Sequence, residues 1–357
     1  MRFGIFQNGG RNVDPATKLD LDLHEIVAAD KAGFEEAWIS EHNVGTSVVE
    51  LLIAKAAGLT EHIRMGPAVR RIALYDQPQL IAIEGAMCDQ LTRGRYQFAF
   101  GVTPAHAKLQ SWGVDIADSE GRTLESIEFI RKIWKEVEPF DFEGKYFKGS
   151  GIDLHPKPYR PIPITIATTR PRFLQMAAQE GFRVITIWSA STDGLKQLGE
   201  TFDAACMKYT GATRRQDLTV SRVVYVAETD EQAHLDVEEG LRTHFDRIKA
   251  FAEQGVKSRG VSENAVNAAF GISTGPGGGR SGTGYEDLVA DGNVIIGSPE
   301  TVIAKVSKTY REMGGFGGFM LVGGNDMGTP EQRERMYRLF ADAVAPELDK
   351  LSAGLGA

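Results

Sequence analysis

Residues 2–12 read Arg2-Phe3-Gly4-Ile5-Phe6-Gln7-Asn8-Gly9-Gly10-Arg11-Asn12. The first six form a short, apolar-rich run, the pattern of a β-strand. The turn after this run decides between two ways of building a parallel sheet. A doubly wound nucleotide-binding fold needs a GxGxxG phosphate turn directly after its first strand. Here the turn is Gln7-Asn8-Gly9-Gly10-Arg11-Asn12, which lacks that spacing. A closed (β/α)8 barrel imposes no such requirement.

The same alternation repeats along the chain. Strand-like runs at 2–7, 36–40, 63–69, 96–101, 162–168, 183–188, 218–227 and 317–322 are separated by amphipathic stretches. Those helical patterns fall at 19–32, 48–59, 79–91, 124–135, 172–179, 194–208, 231–251, 299–312 and 330–349. Eight strands alternating with helices predict an α/β fold, a (β/α)8 TIM barrel in one domain over residues 1–357. Two insertions interrupt it. Residues 137–161 hold a candidate hairpin, Phe142-Glu143-Gly144-Lys145-Tyr146-Phe147, and return through Pro156, Pro158, Pro161 and Pro163. Residues 255–293 centre on a glycine-rich run, 273–284, and are expected to form a mobile lid. Those glycines are not followed by the Lys-Ser or Lys-Thr of a nucleotide phosphate loop.

A net charge of -8 and the lack of a Lys/Arg cluster weigh against nucleic acid as a partner. Arg70-Arg71 and Arg214-Arg215 are expected to be solvated spots. Cys88 and Cys206 lie in apolar helical stretches and are expected to be buried free thiols, with no spacing for a structural metal. The apolar run at the N-terminus is too short for a signal peptide or a membrane span, so the cytoplasm is the default location.

Barrel enzymes carry their chemistry at the C-terminal ends of the strands. Those ends offer Gln7-Asn8, Ser40-Glu41-His42-Asn43, Ala68-Val69-Arg70, Gly101-Val102-Thr103, Thr168-Thr169-Arg170, Trp188-Ser189, Glu228-Thr229 and Gly324-Asn325. Thr168-Thr169-Arg170-Pro171 is a strand-to-helix turn. Its free N–H groups, hydroxyls and guanidinium suit a phosphate, and the same residues equally suit a plain helix cap. His42 offers proton transfer or stabilisation of a developing anion; the ordinary reading of a lone histidine there is a satisfied core residue. Glu41 is either its orienting partner or a rim carboxylate. Phe6, Asn8, Tyr75 and Trp188 are candidate pocket walls, and Phe100 reads as core. No metal ligand set and no nucleophile elbow are evident.

Taken in order, several stretches resemble the bacterial luciferase-like family of flavin-dependent monooxygenases. Ala37-Trp38-Ile39-Ser40-Glu41-His42-Asn43 is similar to its second-strand motif, with Asn43 where a second histidine is common. Met65-Gly66-Pro67-Ala68-Val69, Pro78, Glu84, Asp89 and Leu91-Thr92-Arg93-Gly94-Arg95 resemble its third unit. The 142–147 run with its proline-rich return, and Ile296-Gly297-Ser298-Pro299-Glu300, resemble later pieces.

The resemblance implies reduced FMN bound at the strand ends, supplied by a separate reductase, and O2 as co-substrate. It implies a homodimer through the second and third helices. By position, His42 falls on the active-site histidine, and Ala68 and Val69 on the turn under the flavin ring. Thr168, Thr169 and Arg170 fall on the phosphate grip, where the usual serine is absent. Gly101 and Thr103 are taken as cofactor contacts; Gly101 stands near a reactive cysteine of luciferase, which removes light emission. The implied reaction is hydroxylation or Baeyer–Villiger oxidation of a small apolar substrate. The competing readings are an F420-dependent hydride-transfer enzyme on the same barrel and a non-catalytic flavin-binding protein.

Overall fold

In chain order the strands are β1 (Arg2–Gln7), β2 (Glu36–Ile39), β3 (Arg64–Pro67), β4 (Phe98–Phe100), β5 (Phe140–Glu143), β6 (Lys148–Ile152), β7 (Ile164–Ala167), β8 (Arg183–Ile185), β9 (Leu218–Val226), β10 (Val294–Gly297) and β11 (Gly318–Gly323). Eight of them run in parallel in the order β3-β2-β1-β11-β9-β8-β7-β4. The two ends of that row meet: Met65 bridges Tyr96 and Arg70 bridges Phe100, with Arg70 N–H donating to Ala99 O over 2.7 Å. The sheet is therefore a barrel, and parallel pairing puts all eight strand C-termini at one end. The structure is a computed structural model; it describes residues 1–7, 13–41, 48–102, 112–259, 285–324 and 326–353, without the side chains of 247–249 and 251–259.

Each barrel strand lies within the stretch expected of it, to within a residue. The helices are α1 (Pro15–Lys31), α2 (Val49–Ala57), α3 (Pro78–Thr92), α4 (Ile116–Lys135), α5 (Pro171–Glu180), α6 (Thr192–Thr210), α7 (Asp230–Arg259), α8 (Tyr285–Ala290), α9 (Pro299–Met313), α10 (Pro330–Leu339) and α11 (Ala345–Ser352). Two start well before their apolar periodicity does, and caps explain both. Asp14 accepts from the N–H groups of Ala16 and Thr17 with Pro15 in the first turn, and Asp115 accepts from Ala117. The expected helix 330–349 is broken by a wide π turn, Phe340–Val344, where Phe340 packs on Phe3 and Phe34 at 5.5 and 5.6 Å.

Both insertions carry structure. β5 and β6 form an antiparallel hairpin on α4, with Phe142 stacked on Phe129 at 4.1 Å. Glu125 of α4 accepts the N–H groups of Lys145, Tyr146 and Phe147 at 2.7–3.0 Å and fixes the hairpin turn. In the second insertion, 255–259 continue α7, α8 follows at 285, and 260–284 lie outside the described residues. β10, not foreseen, pairs with the far half of β9, Val223–Val226.

The arginine pairs are not solvated. Arg70, Arg71 and Arg215 are buried. Arg215 binds Asp203 at 2.8 Å and the Met313 carbonyl at 2.8 Å; Arg214 binds Asp217. Except for the local Arg214–Asp217 pair, the partners named for Arg70 and Arg215 come from other elements, so adjacent charges in sequence say nothing of a shared surface. Cys88 and Cys206 are buried free thiols. Among the described residues no helix is long and apolar enough to cross a membrane, and no cluster of histidine, cysteine and carboxylates could hold a metal.

The barrel closes on a glycine. A Cβ at Gly66 would stand 2.1 Å from the carbonyl oxygen of Gln97 on the facing strand segment. Gly66→Ala is therefore expected to destabilise the protein by about 3 kcal/mol or more, because backbone rather than a flexible side chain must move. Urea unfolding would measure it; a midpoint unchanged from the native protein would show that the seam has slack.

Candidate functional site

Strand parity sends Phe6, Trp38, Ala68, Ala99, Ile185 and Met320 to the barrel interior. Trp38, Ala68, Ala99, Ile185 and Met320 form a buried cluster of their own, with Phe6 and Val69 packed against it. Beneath this apolar layer the interior is polar. The Trp38 indole donates to Glu36 Oε2 over 2.9 Å, and Arg183 donates to Glu36 Oε1 over 2.9 Å. The Ala68–Val69 peptide is cis. A Cβ at Gly101 would stand 3.0 Å from Ala167 O and 3.5 Å from Val69 Cγ1, so the ends of β3, β4 and β7 converge closely, with the Val69 side chain set against Gly101.

Next to that point β7 turns into α5. Thr168 Oγ accepts from the Arg170 N–H at 3.0 Å, and Pro171 occupies the first turn. Among the described residues no side chain caps the helix at Arg170; the Phe173 and Leu174 N–H groups bond the Arg170 carbonyl, which leaves the Arg172 N–H as the first-turn donor open to an external acceptor. The exposed Arg170 pairs with Glu120 of α4 at 3.3 Å, and Arg172 pairs with the same carboxylate.

At the end of β2, Glu41 is buried and both its oxygens are engaged. Oε1 accepts from Arg70 at 3.0 Å and Tyr75 OH at 2.7 Å; Oε2 accepts from the Arg71 N–H at 3.0 Å. It is not a solvated rim carboxylate. The Arg70 guanidinium, itself buried, also donates to Glu84 Oε2 of α3 over 2.7 Å and stands 3.1 Å from Glu50 Oε2 of α2. It lies 4.7 Å over the Tyr75 ring. Tyr96 OH donates to Glu50 Oε1 over 3.1 Å, and the Cys88 thiol to the Glu50 carbonyl. One buried cation thus faces two buried carboxylates, Glu41 and Glu50, and the partly exposed Glu84. Burial, reinforced by the neighbouring carboxylates, lifts Glu50 and Glu84 above the ordinary glutamate value, against the pull of Arg70. Tyr75 packs with Leu74, Val114 and Trp112, apart from the Phe6 cluster.

After β8, Trp188 is buried against Phe245 of α7, ring centroids 5.8 Å apart. Arg222 of β9 and Asn293, just before β10, both donate to the carbonyls of Trp188 and Ala190, at 3.0–3.1 Å. Of the residues expected at the site, then, Phe6, Ala68, Val69 and Gly101 share the mouth and Thr168–Arg170 border it. Tyr75 packs in a separate aromatic group, and Trp188, on the loop after β8 at the same end of the barrel, packs with Phe245. Asn8, His42 and Thr103 lie outside the described residues. Sequence reading missed Arg222 and Asn293. The available signal was an arginine within the apolar run Val220-Ser221-Arg222-Val223-Val224.

A family model described as luciferase-like monooxygenase matches residues 1–316. The 4-hydroxyprotoasukamycin monooxygenase of Streptomyces nodosus subsp. asukaensis is 27% identical over 371 residues, covering 96% of this chain and 91% of its own. Among solved structures, the oxygenating constituent of 3,6-diketocamphane monooxygenase from Pseudomonas putida, a type II Baeyer–Villiger enzyme in complex with FMN, superposes with a TM-score of 0.78 at 24% identity over 97% of this chain and 98% of its own. The coenzyme F420-dependent tetrahydromethanopterin reductase of Methanopyrus kandleri superposes with a TM-score of 0.68 at 18% identity, over 97% and 98%.

The carboxylate cage makes stability depend on pH in a definite sense. Glu50 and Glu84 have raised values in the folded state, so folding takes up protons. Their contribution is complete below the ordinary value of 4.5 and is lost as pH rises through the folded values. Glu50→Gln cannot ionise. Its urea midpoint relative to the native protein is expected to improve as pH rises above the ordinary glutamate value; a pH-independent gap would mean that Glu50 does not titrate in the folded protein.

Proposed function

The chain belongs to the luciferase-like monooxygenase family, and we propose that it is the oxygenating component of a two-component system. It uses reduced FMN, delivered by a separate reductase, and O2 to hydroxylate a small apolar molecule or to insert oxygen beside its carbonyl group. The observation that carries this reading is the meeting, at the mouth of the barrel, of an apolar layer with an uncapped helix terminus. A flavin ring asks for a flat apolar surface, which Ala68, Val69 and Gly101 offer. Its phosphate asks for hydrogen-bond donors and positive charge, which the Thr168 and Thr169 hydroxyls and the Arg170 guanidinium offer at the start of α5. These residues fit FMN. Bound there in its reduced form, it supplies the electrons that activate O2.

The chain's own residues provide the setting. Phe6, Trp38 and Met320 keep water from the barrel interior, and Trp188 adds an aromatic wall. His42 follows in sequence on Glu41, whose carboxylate is fixed by Arg70, Tyr75 and the Arg71 N–H. The role of His42 is to stabilise negative charge on oxygen. A small apolar substrate agrees with these walls, and the bicyclic ketone named by the diketocamphane enzyme is a fitting probe.

Hydride transfer with F420 is the second reading, supported by the similarity to F420-dependent barrels. Arg170 and Arg172 share one carboxylate, Glu120, so two guanidinium charges are offset by one negative charge. That balance suits a single phosphate better than a longer anionic tail.

Anaerobic titration with reduced FMN and with reduced F420, followed by admission of air and a bicyclic ketone, separates the readings. Reduced FMN is expected to bind, and oxygenated product to form. Arg170→Ala is expected to weaken FMN about tenfold or more while leaving riboflavin, which has no phosphate, unaffected. His42→Ala should keep the flavin and release hydrogen peroxide in place of product. Binding of F420 alone would overturn the oxygenase reading, and binding without turnover would make the protein a flavin carrier.

A homodimer through α2 and α3 belongs to the same proposal. Leu80, Met87 and Leu91 are exposed and fall on one face of α3 at helical spacing, beside the exposed Leu51 of α2. Sedimentation of the Leu80→Glu, Leu91→Glu double variant is expected to give a folded monomer where the native chain gives a dimer.

A further inference from the structure

Arg222 is fully buried, and burial pulls its guanidinium down to about 10. It still carries its charge at neutral pH. Among the described residues no carboxylate pairs with it. NH1 donates to the carbonyls of Ser221 at 2.9 Å and Trp188 at 3.1 Å, and NH2 to that of Ala190 at 3.0 Å. A buried cation held by neutral dipoles alone is an expensive element, and an apolar side chain of similar size in such a place is commonly neutral or stabilising.

Nor are the carbonyls short of donors without it. The side-chain amide of Asn293 gives one hydrogen to Trp188 O and one to Ala190 O, at 3.1 and 3.0 Å. The same two oxygens are therefore gripped twice, from β9 and from the residue leading into β10. Stability does not call for this redundancy, but geometry does. Two planar forks on two carbonyls fix the peptide planes of 188–190, which a single amide leaves free to rock.

What these planes carry is the Trp188 indole. It lies against Phe245 at 5.8 Å, and Phe245 in turn faces Tyr285 at 6.5 Å. The loop that holds it connects the C-terminal end of β8 to α6, at the end of the barrel where the strands terminate.

We propose that Arg222 is a positioning residue, which with Asn293 locks the Trp188–Ala190 backbone so that the Trp188 ring keeps one orientation at the barrel mouth and sets the fit of the substrate. The positioning rests on the hydrogen bonds alone; only the substrate's part rests on the oxygenase reading.

The test uses the full-length protein labelled with fluorotryptophan, the Trp188 resonance being assigned by its loss in Trp188→Phe. Native protein is expected to give one narrow line. Arg222→Met is expected to keep the native melting temperature while the Trp188 line broadens or splits. Arg222→Lys, which keeps the charge but not the fork, is expected to fold and to show the same broadening. With a turned-over substrate, KM should rise about tenfold in Arg222→Met with kcat little changed. A Trp188 line of native shift and width in either variant overturns the proposal. So does a melting temperature that collapses in Arg222→Met beside a native Trp188 line in Arg222→Lys, which would make Arg222 a stabilising residue only. Should no substrate be oxygenated by any form, the resonance still decides the positioning role, and the failure falls on the oxygenase reading.

Discussion

Closure of the sheet between β3 and β4 is the contact on which the rest of this molecule depends. Only when the two outer strands meet do eight parallel strands become a barrel with one common C-terminal end. The meeting is short: two bridges, Met65 to Tyr96 and Arg70 to Phe100, with Gly66 leaving room for the Gln97 carbonyl. Just past it come Ala68, Val69 and Gly101, where the chain presents backbone and small side chains rather than bulk. The same approach that closes the wall clears the surface proposed to receive a flat ring.

Two buried arginines are accommodated in opposite ways. Arg70 sits among Glu41, Glu50 and Glu84, so its charge is more than matched, and burial lifts Glu50 and Glu84 above the ordinary glutamate value. Among the described residues Arg222 has only carbonyl dipoles. The first ties β2 and β3 to α2 and α3; the second ties the β8 loop to β9. Neither is an economical way to stabilise a core. Both fix the backbone beside residues proposed to meet the reactants, Glu41 before His42 in one case and Trp188 in the other.

Sequence periodicity placed the strands well because buried parallel strands are short apolar runs with clear breaks. Helix starts were less legible: Asp14 and Asp115 extend α1 and α4 through capping, which precedes any apolar stripe. β10 is four residues long and pairs with the overhang of β9, so nothing local marks it as part of the sheet. At the site, Ala68, Val69 and Gly101 follow from counting to strand ends, and the family resemblance gave them a role. The partners of Arg70 could not be read in this way, since Glu41, Glu50 and Glu84 reach it from three elements. The Arg70-Arg71 pair was misjudged for the same reason. Asn293 was hidden further, because its partners Trp188 and Ala190 lie about a hundred residues upstream.

β9 is nine residues long, and its pairing with β11 ends at Val223. The remaining three residues, to Val226, run on with β10 as their neighbour. The end of β9 is thus held by a strand outside the eight-strand row. Because that hold is made of main-chain hydrogen bonds, side chains along it can change without unmaking the pairing.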